Sequence, residues 1–298
     1  MIVVNENEYA QIRIKNKDVG ENVYTTLSIV AKYYYSQGMK RKAVCIELQN
    51  FLEVAYPKYS INKSYWTEVI EKTANKNAKE KLFESDGVWI TESEWEKIQA
   101  LGNKILGKLA FTLLCIAKIN NQRRSSNNNW VNTDIKEIYK LANISCSVDL
   151  RAKRIGTLIH SGLAEFAKRV DNLNLKVLFV DDESEKKFLV NDFRDLGNEY
   201  LYRIGENYIR CAECGKLIKN NKNGTKKYCN SCASYVPQET KQVKCIDCGK
   251  IIFVNAMNNK TCRCDDCYSV YRRKYYRENK RKQREKNKMS TAQFWDEE

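Results

Sequence analysis

Residues 211 to 267 hold two cysteine quartets in tandem, and this stretch limits what the chain can fold into more than any other. The first reads Cys211-Ala-Glu-Cys214-Gly-Lys and closes with Cys229-Asn-Ser-Cys232. The second reads Cys245-Ile-Asp-Cys248-Gly-Lys and closes with Cys264-Asp-Asp-Cys267. Two CxxC knuckles joined by a short loop suit a tetrahedral Zn²⁺ held by four thiolates at about 2.3 Å. Gly215 and Gly249 follow the first knuckle of each set, where positive φ lets backbone N–H groups turn toward sulfur. The two units also repeat one another, Arg-Cys-Ala-Glu-Cys-Gly-Lys-Leu-Ile against Lys-Cys-Ile-Asp-Cys-Gly-Lys-Ile-Ile. The spacing therefore predicts two structural zinc ribbons, with Zn²⁺ as cofactor at two ions per chain. Cys262 competes with Cys264 for the third position of the second set, and the x₂ spacing to Cys267 favours Cys264.

Disulfides or a redox dithiol are the competing use of such cysteines. The opening Met1-Ile-Val-Val-Asn-Glu-Asn-Glu has neither the basic start nor the apolar core of a secretory leader. A cytoplasmic setting is expected, in which thiols stay reduced and paired CxxC units point to metal. Segments so small and polar bury little core, so the metal supplies much of their folding free energy. Four thiolates per ion leave no open coordination position, which argues against catalysis by these metals.

Composition bears on the partner. The chain has 298 residues, a formal net charge of +15 and 43% hydrophobic residues, enough for more than one domain with a core. No apolar run approaches the ~20 residues of a membrane span, so no membrane partner is expected. The basic excess points to a polyanion, with double-stranded DNA the first reading and RNA or a protein partner the alternatives.

The expected fold class is mainly α with small β elements. Residues 1–90 form a helical N-terminal module after an edge strand or hairpin within residues 2–15. Val23, Leu27, Val30, Ala31 and Tyr34 make one helical stripe, and Val44, Leu48, Phe51, Leu52 and Ala55 make a second. Residues 91–180 open on a capping box at Thr91–Glu94, continuing into a long helix that Gly102 and Gly107 are placed to break. A short strand at Trp130, a helix from Ile135, a helix over 148–161 ended by Gly162, and two strands around Asp171–Asn172 follow. That order is the pattern of a winged helix-turn-helix. Its recognition helix carries Arg151, Lys153 and Arg154, and its wing carries Lys168 and Arg169. His160, the single histidine, reads as a partly buried packing residue.

Residues 181–208 are a connector with one helix over Leu189, Phe193, Leu196 and Tyr200; zinc ribbon 1 spans 209–236 and zinc ribbon 2 spans 244–268. Pro237–Thr240 reads as the linker between ribbons. Residues 269–298 form a basic helical tail. Tyr268, Tyr271 and Tyr275 share a face expected to pack on the second ribbon. Arg272, Arg273, Lys274, Arg277, Lys280, Arg281 and Arg284 cover the rest as phosphate contacts.

Several stretches, Lys108–Lys118, Trp130-Val-Asn-Thr133, Val170-Asp-Asn-Leu-Asn174 and the ribbon at Cys211, resemble a known group over roughly residues 85 to 235. They are similar to zinc-ribbon, winged-helix-like proteins encoded by phages and prophages of Firmicutes. The resemblance implies a phage or prophage source and a host-cytoplasm setting. No P-loop, Ser/His/Asp set or dinucleotide-binding turn occurs. Asp181, Asp182, Glu185 and Lys187 alone suggest a metal-dependent nuclease, and they lie too close together for strand-borne ligands. No catalysis is expected. The sequence as a whole reads as a zinc-containing DNA-binding protein regulating transcription or replication of a phage or mobile element. A protein-binding host-takeover or anti-defence factor is the alternative.

Overall fold

The structure is a computed structural model that describes residues 2–167, 174–234, 240–255 and 262–295. It is mainly helical with small antiparallel sheets. By packing the chain divides into two units, Met1–Cys229 and Asn230–Glu298.

The first unit begins with α1 (Glu6–Asn16), α2 (Val23–Ser36), α3 (Arg41–Ala55) and α4 (Lys63–Asn77). Here the expectation of a strand over residues 2–15 is corrected. Asn5 caps α1 by accepting the Glu8 N–H at 2.9 Å, and Glu6 and Glu8 place negative charge at the positive helix end. Buried Glu6 also accepts the Phe83 N–H at 3.0 Å and pairs with Lys32 at 3.1 Å. Of the extended pairing an isolated bridge, Asn5 to Glu84, is what remains among the described residues. The stripes of α2 and α3 are buried as their spacing predicts, with Trp66, Ile70 and Ala74 of α4 packed on them. In the Tyr33–Tyr35 run, Tyr34 is buried and the Tyr35 hydroxyl donates to the Ala74 carbonyl at 2.9 Å. The run serves the core.

A second hydrophobic cluster fills residues 88 to 200. Its elements are β1 (Val88–Thr91), α5 (Glu92–Gln99), α6 (Lys104–Arg123), β2 (Trp130–Val131), α7 (Ile135–Leu141), α8 (Val148–His160), β3 (Ala164–Phe166), β4 (Leu175–Val177), β5 (Lys186–Val190) and α9 (Leu196–Arg203). The Thr91–Glu94 capping box is present. The helix after it breaks at Gly102, one of the two glycines placed to do so: α5 stops at Gln99, Gly102 turns at φ +59, and Asn103 recaps the chain by accepting the Ile105 and Leu106 N–H groups. Gly107 stays inside α6, where a methyl group would run into the Tyr200 ring and hydroxyl. Strands β2, β4 and β3 form one sheet in that order, with Trp130 opposite Lys176 and Phe166 opposite Leu175.

The helix expected across residues 189–200 is also corrected. Lys186–Val190 is a strand pairing antiparallel with β1, Val88 opposite Val190 and Ile90 opposite Phe188, and helix starts only at Leu196. The apolar offsets were shared by a strand end and a helix start, and a distant partner strand decided between them. Gly197 in α9 meets the Ala142 backbone so closely that a methyl group there would overlap the carbonyl. Gly197→Ala should therefore cost about 1–3 kcal/mol of unfolding free energy, the usual overpacking cost, measurable as a lower urea midpoint with unchanged metal content. A loss below about half a kcal/mol would show that α9 shifts freely.

The unit ends in the hairpin of β6 (Tyr208–Arg210) and β7 (Leu217–Lys219). The second unit contains α10 (Asn230–Ala233), the hairpin of β8 (Thr240–Lys244) and β9 (Ile251–Asn255), and α11 (Asp265–Trp295). No helix among the described residues is long and apolar enough to cross a membrane.

Candidate metal centres and basic helices

In both quartets the local chain path is the same. Cys211 N–H donates to the Lys216 carbonyl at 2.9 Å, and Cys245 N–H to the Lys250 carbonyl at 2.8 Å. Gly215 (φ +68) and Gly249 (φ +74) then donate back to the Cys211 and Cys245 carbonyls, each at 2.9 Å. This closes the tight knuckle that the glycines were expected to permit. The far knuckle completes each set, the Cys229 N–H pointing at the Cys211 sulfur (3.2 Å) and the Cys264 N–H at the Cys245 sulfur (3.3 Å).

The four sulfurs of Cys211, Cys214, Cys229 and Cys232 lie within 4.8 Å of one another, as do those of Cys245, Cys248, Cys264 and Cys267. Cys214 Sγ and Cys229 Sγ are 3.8 Å apart, and Cys248 Sγ and Cys264 Sγ 3.7 Å. A tetrahedron with Zn–S bonds of about 2.3 Å has sulfur–sulfur edges of about 3.8 Å, which these two distances match, and the remaining sulfurs lie close enough to complete each set. A disulfide needs about 2.05 Å. The two quartets are positioned to hold two metal ions, and their all-thiolate donor sets suit two Zn²⁺. Cys264 occupies the position for which Cys262 competed.

Electrostatics favour thiolate at one sulfur of each set. Burial pushes the Cys211 thiol up, but N–H donors from Cys214, Cys229 and Glu213 outweigh it and bring the group down to about 6. N–H donors from Cys264, Cys248 and Asp247 bring Cys245 to about 6 as well. Cys267 moves the other way, held high by hydrogen bonds with Cys264 and Cys248. Thiols sharing protons in this way are the deprotonation-ready ligands that a cation replaces.

Sequence reasoning missed what holds the first site to the body. Arg194 Nη2 donates to the Cys214 carbonyl at 2.9 Å, while Asp192 grips the same guanidinium at 2.9 and 2.7 Å. The buried Glu199 carboxylate accepts from Arg203 at 2.8 Å and from Arg210 of β6 at 3.0 Å. The Glu199–Arg203 spacing was readable as an i,i+4 pair. Nothing local could show that Arg210 joins it. In the second set Arg263 Nε bonds the Asp247 carboxylate at 2.6 Å and its guanidinium covers the Tyr271 ring at 4.0 Å.

The basic residues separate into two groups. Arg151 and Arg154 of α8 are half-buried and Lys153 is exposed. The Arg151 guanidinium lies over the Tyr139 ring at 5.6 Å, and the Tyr139 hydroxyl donates to the Arg151 carbonyl at 3.0 Å. Arg151 Nε and Arg154 Nη1 are buried without a hydrogen-bond partner among the described residues. Lys168 and Arg169 lie outside the described residues. Arg272, Arg273, Lys274, Arg277, Lys280, Arg281 and Arg284 are all exposed along α11. The tyrosine face of that helix meets its expectation only in part: Tyr271 lies under Arg263 of the second set, yet Tyr268, Tyr271 and Tyr275 are each some 43–53% exposed, with Tyr271 and Tyr275 stacked on each other at 6.2 Å. His160 is exposed, where a packing role had been expected.

In the acidic segment, Asp181 accepts from Ser184 and from the Glu183 and Ser184 N–H groups, which hold its carboxyl well below the usual range. Asp182 pairs with Lys118 at 2.8 Å and Lys187 with Glu92. Among the described residues the cysteine quartets are the groups that could hold a metal. Comparison with protein families, with curated proteins and with solved structures finds no match for this chain.

Proposed function

We propose that the protein is a zinc-containing DNA-binding protein of a phage or mobile element that regulates transcription or replication. In this reading two zinc ribbons are built on the quartets, and a winged helix-turn-helix spans α6 to β4. The observation that carries it is α11, whose described side chains from Tyr268 to Glu285 are all exposed and whose cations recur on every turn. Such a helix presents charge to phosphates in many registers. Two features support the winged-helix reading. The order helix, strand, helix, helix, strand, strand runs from α6 to β4 with its strands in one antiparallel sheet. In addition, neither Arg151 nor Arg154 joins a carboxylate among the described residues. A docked protein is the second reading, favoured by the exposed tyrosines of α11.

The division of labour is testable. If α11 neutralises roughly six phosphates, log K should fall with log salt at a slope near about −5, and deleting residues 269–298 should flatten most of that slope. Arg151→Ala or Arg154→Ala should cost about 1–3 kcal/mol on a selected duplex and little on a scrambled one. Titrations of both duplexes at several salt concentrations measure all of this. Equal losses on the two duplexes would show that α8 reads no bases. Absence of DNA binding by the zinc-loaded protein would leave the protein-partner reading.

A further inference from the structure

The hairpin of β8 and β9 leaves one face uncovered. Its register sets Gln242 opposite Phe253 and Lys244 opposite Ile251, and the two-residue period of a strand brings all four to the same side. All four are exposed, Phe253 at 68%, whereas Lys241, Val243, Ile252 and Val254 on the opposite side are half-buried. A phenylalanine has no polar handle, so leaving its ring in water sacrifices the stabilisation that burial would bring. What the ring offers at a surface is a flat face. Around it stand an ammonium group on Lys244 and an amide on Gln242. Lys241, Lys244 and Lys250 against Asp247 keep the described part of this hairpin basic.

A ring to stack on, a cation for phosphate and an amide for a base edge make the equipment of a stacking platform for nucleic acid. A protein hot spot would instead sit at the centre of an apolar patch, and among the described residues of this strand face Ile251 is the one other apolar side chain. Inside an undistorted duplex both faces of each base are already covered, and wedging a ring between them costs unstacking free energy, so the ring is most readily met by an unpaired base. We propose that the exposed β8–β9 face binds an unpaired base, so that the nucleic acid engaged by this protein includes a single-stranded stretch. The proposal rests on the nucleic-acid reading above and adds a substrate class to it.

The test uses the full, zinc-loaded chain with two probes, labelled oligothymidylate, which cannot pair with itself, and a blunt duplex. Phe253→Ala should weaken oligothymidylate binding by about 5- to 100-fold, the range found for losing one base–aromatic stack. Duplex binding should change by less than about twofold, and Phe253→Trp should keep both. Metal content and the helical circular dichroism of each variant show whether the hairpin survives. Should Phe253→Ala lose zinc, Lys244→Gln reports on the same face without touching the core, and it should weaken oligothymidylate binding selectively. Unchanged single-strand binding in these variants, or equal loss on both probes, would overturn the proposal. So would binding of duplex without binding of single strand, which leaves the DNA-binding reading intact. Binding of neither probe would reject both.

Discussion

Anaerobically purified protein will carry two zinc ions per chain; Cys262→Ser will still carry two, and Cys264→Ser will carry one. The sulfur positions set this expectation, because each quartet gathers four sulfurs within 4.8 Å, one pair of them at the edge length of a Zn–S₄ tetrahedron, and Cys264 is the member whose N–H meets Cys245. Structural Zn²⁺ contributes about 10–16 kcal/mol of apparent binding free energy in small zinc-dependent peptides, far more than these hairpins could gain from burial. Chelation should therefore unfold residues 211–267 while the helical signal of α1 to α9 persists, since both of their cores are assembled without metal. Metal analysis and circular dichroism before and after chelator check both halves. One zinc or none in the intact chain, or loss of a metal in Cys262→Ser, would reject the assignment.

The second large effect lies far from the metals. Glu94 is fully buried and accepts four hydrogen bonds from three groups: from Lys118 at 2.8 Å to one carboxylate oxygen and 3.0 Å to the other, from the Asp181 N–H at 2.8 Å, and from the Thr91 N–H at 2.9 Å. Removing the carboxylate by Glu94→Ala strands the Lys118 ammonium in the core and should cost about 3–5 kcal/mol. Replacing the pair together, Glu94→Leu with Lys118→Met, should cost much less, because no buried charge is left without its partner; Asp182, which also pairs with Lys118, is exposed. Urea unfolding of the singles and the double gives the coupling directly. A loss below about 1 kcal/mol for Glu94→Ala would mean that Asp182 and water carry Lys118 unaided.

What the sequence disclosed, and what it hid, follows from the range of each interaction. The quartets were legible because knuckle, glycine and ligand spacing are all local. So were α2, α3, α7 and α8, whose stripes lie within a few residues, as do the side-chain caps of α2, α7 and α8. The Thr91–Glu94 box was legible as a helix start, but its second role was not. Lys118 reads as the polar end of an apolar helix, and only the fold brings Asp181 and Asp182 over it. The pairing of β1 with β5 was hidden for the same reason, as was the grip of Arg194 on the Cys214 carbonyl. The first residues misled in the opposite direction, because a loose alternation of apolar residues outweighed an Asn cap followed by two glutamates.

One feature of the second centre bears on α11 as a whole. Cys267 lies in its first turn, two residues after Asp265, where the helix begins. Starting a helix is the unfavourable step, since three residues must be fixed before the first hydrogen bond forms, whereas each later residue adds a bond of its own. A strongly basic helix whose described side chains from Tyr268 to Glu285 are all exposed gains little from burial to start it. By clamping Cys264 and Cys267 to the other knuckle, the metal fixes that first turn in advance. It therefore acts as the nucleus from which some 31 residues of helix propagate, a rod of about 46 Å. An ion with no chemistry of its own thus determines how far from the hairpin the chain can present its positive charge.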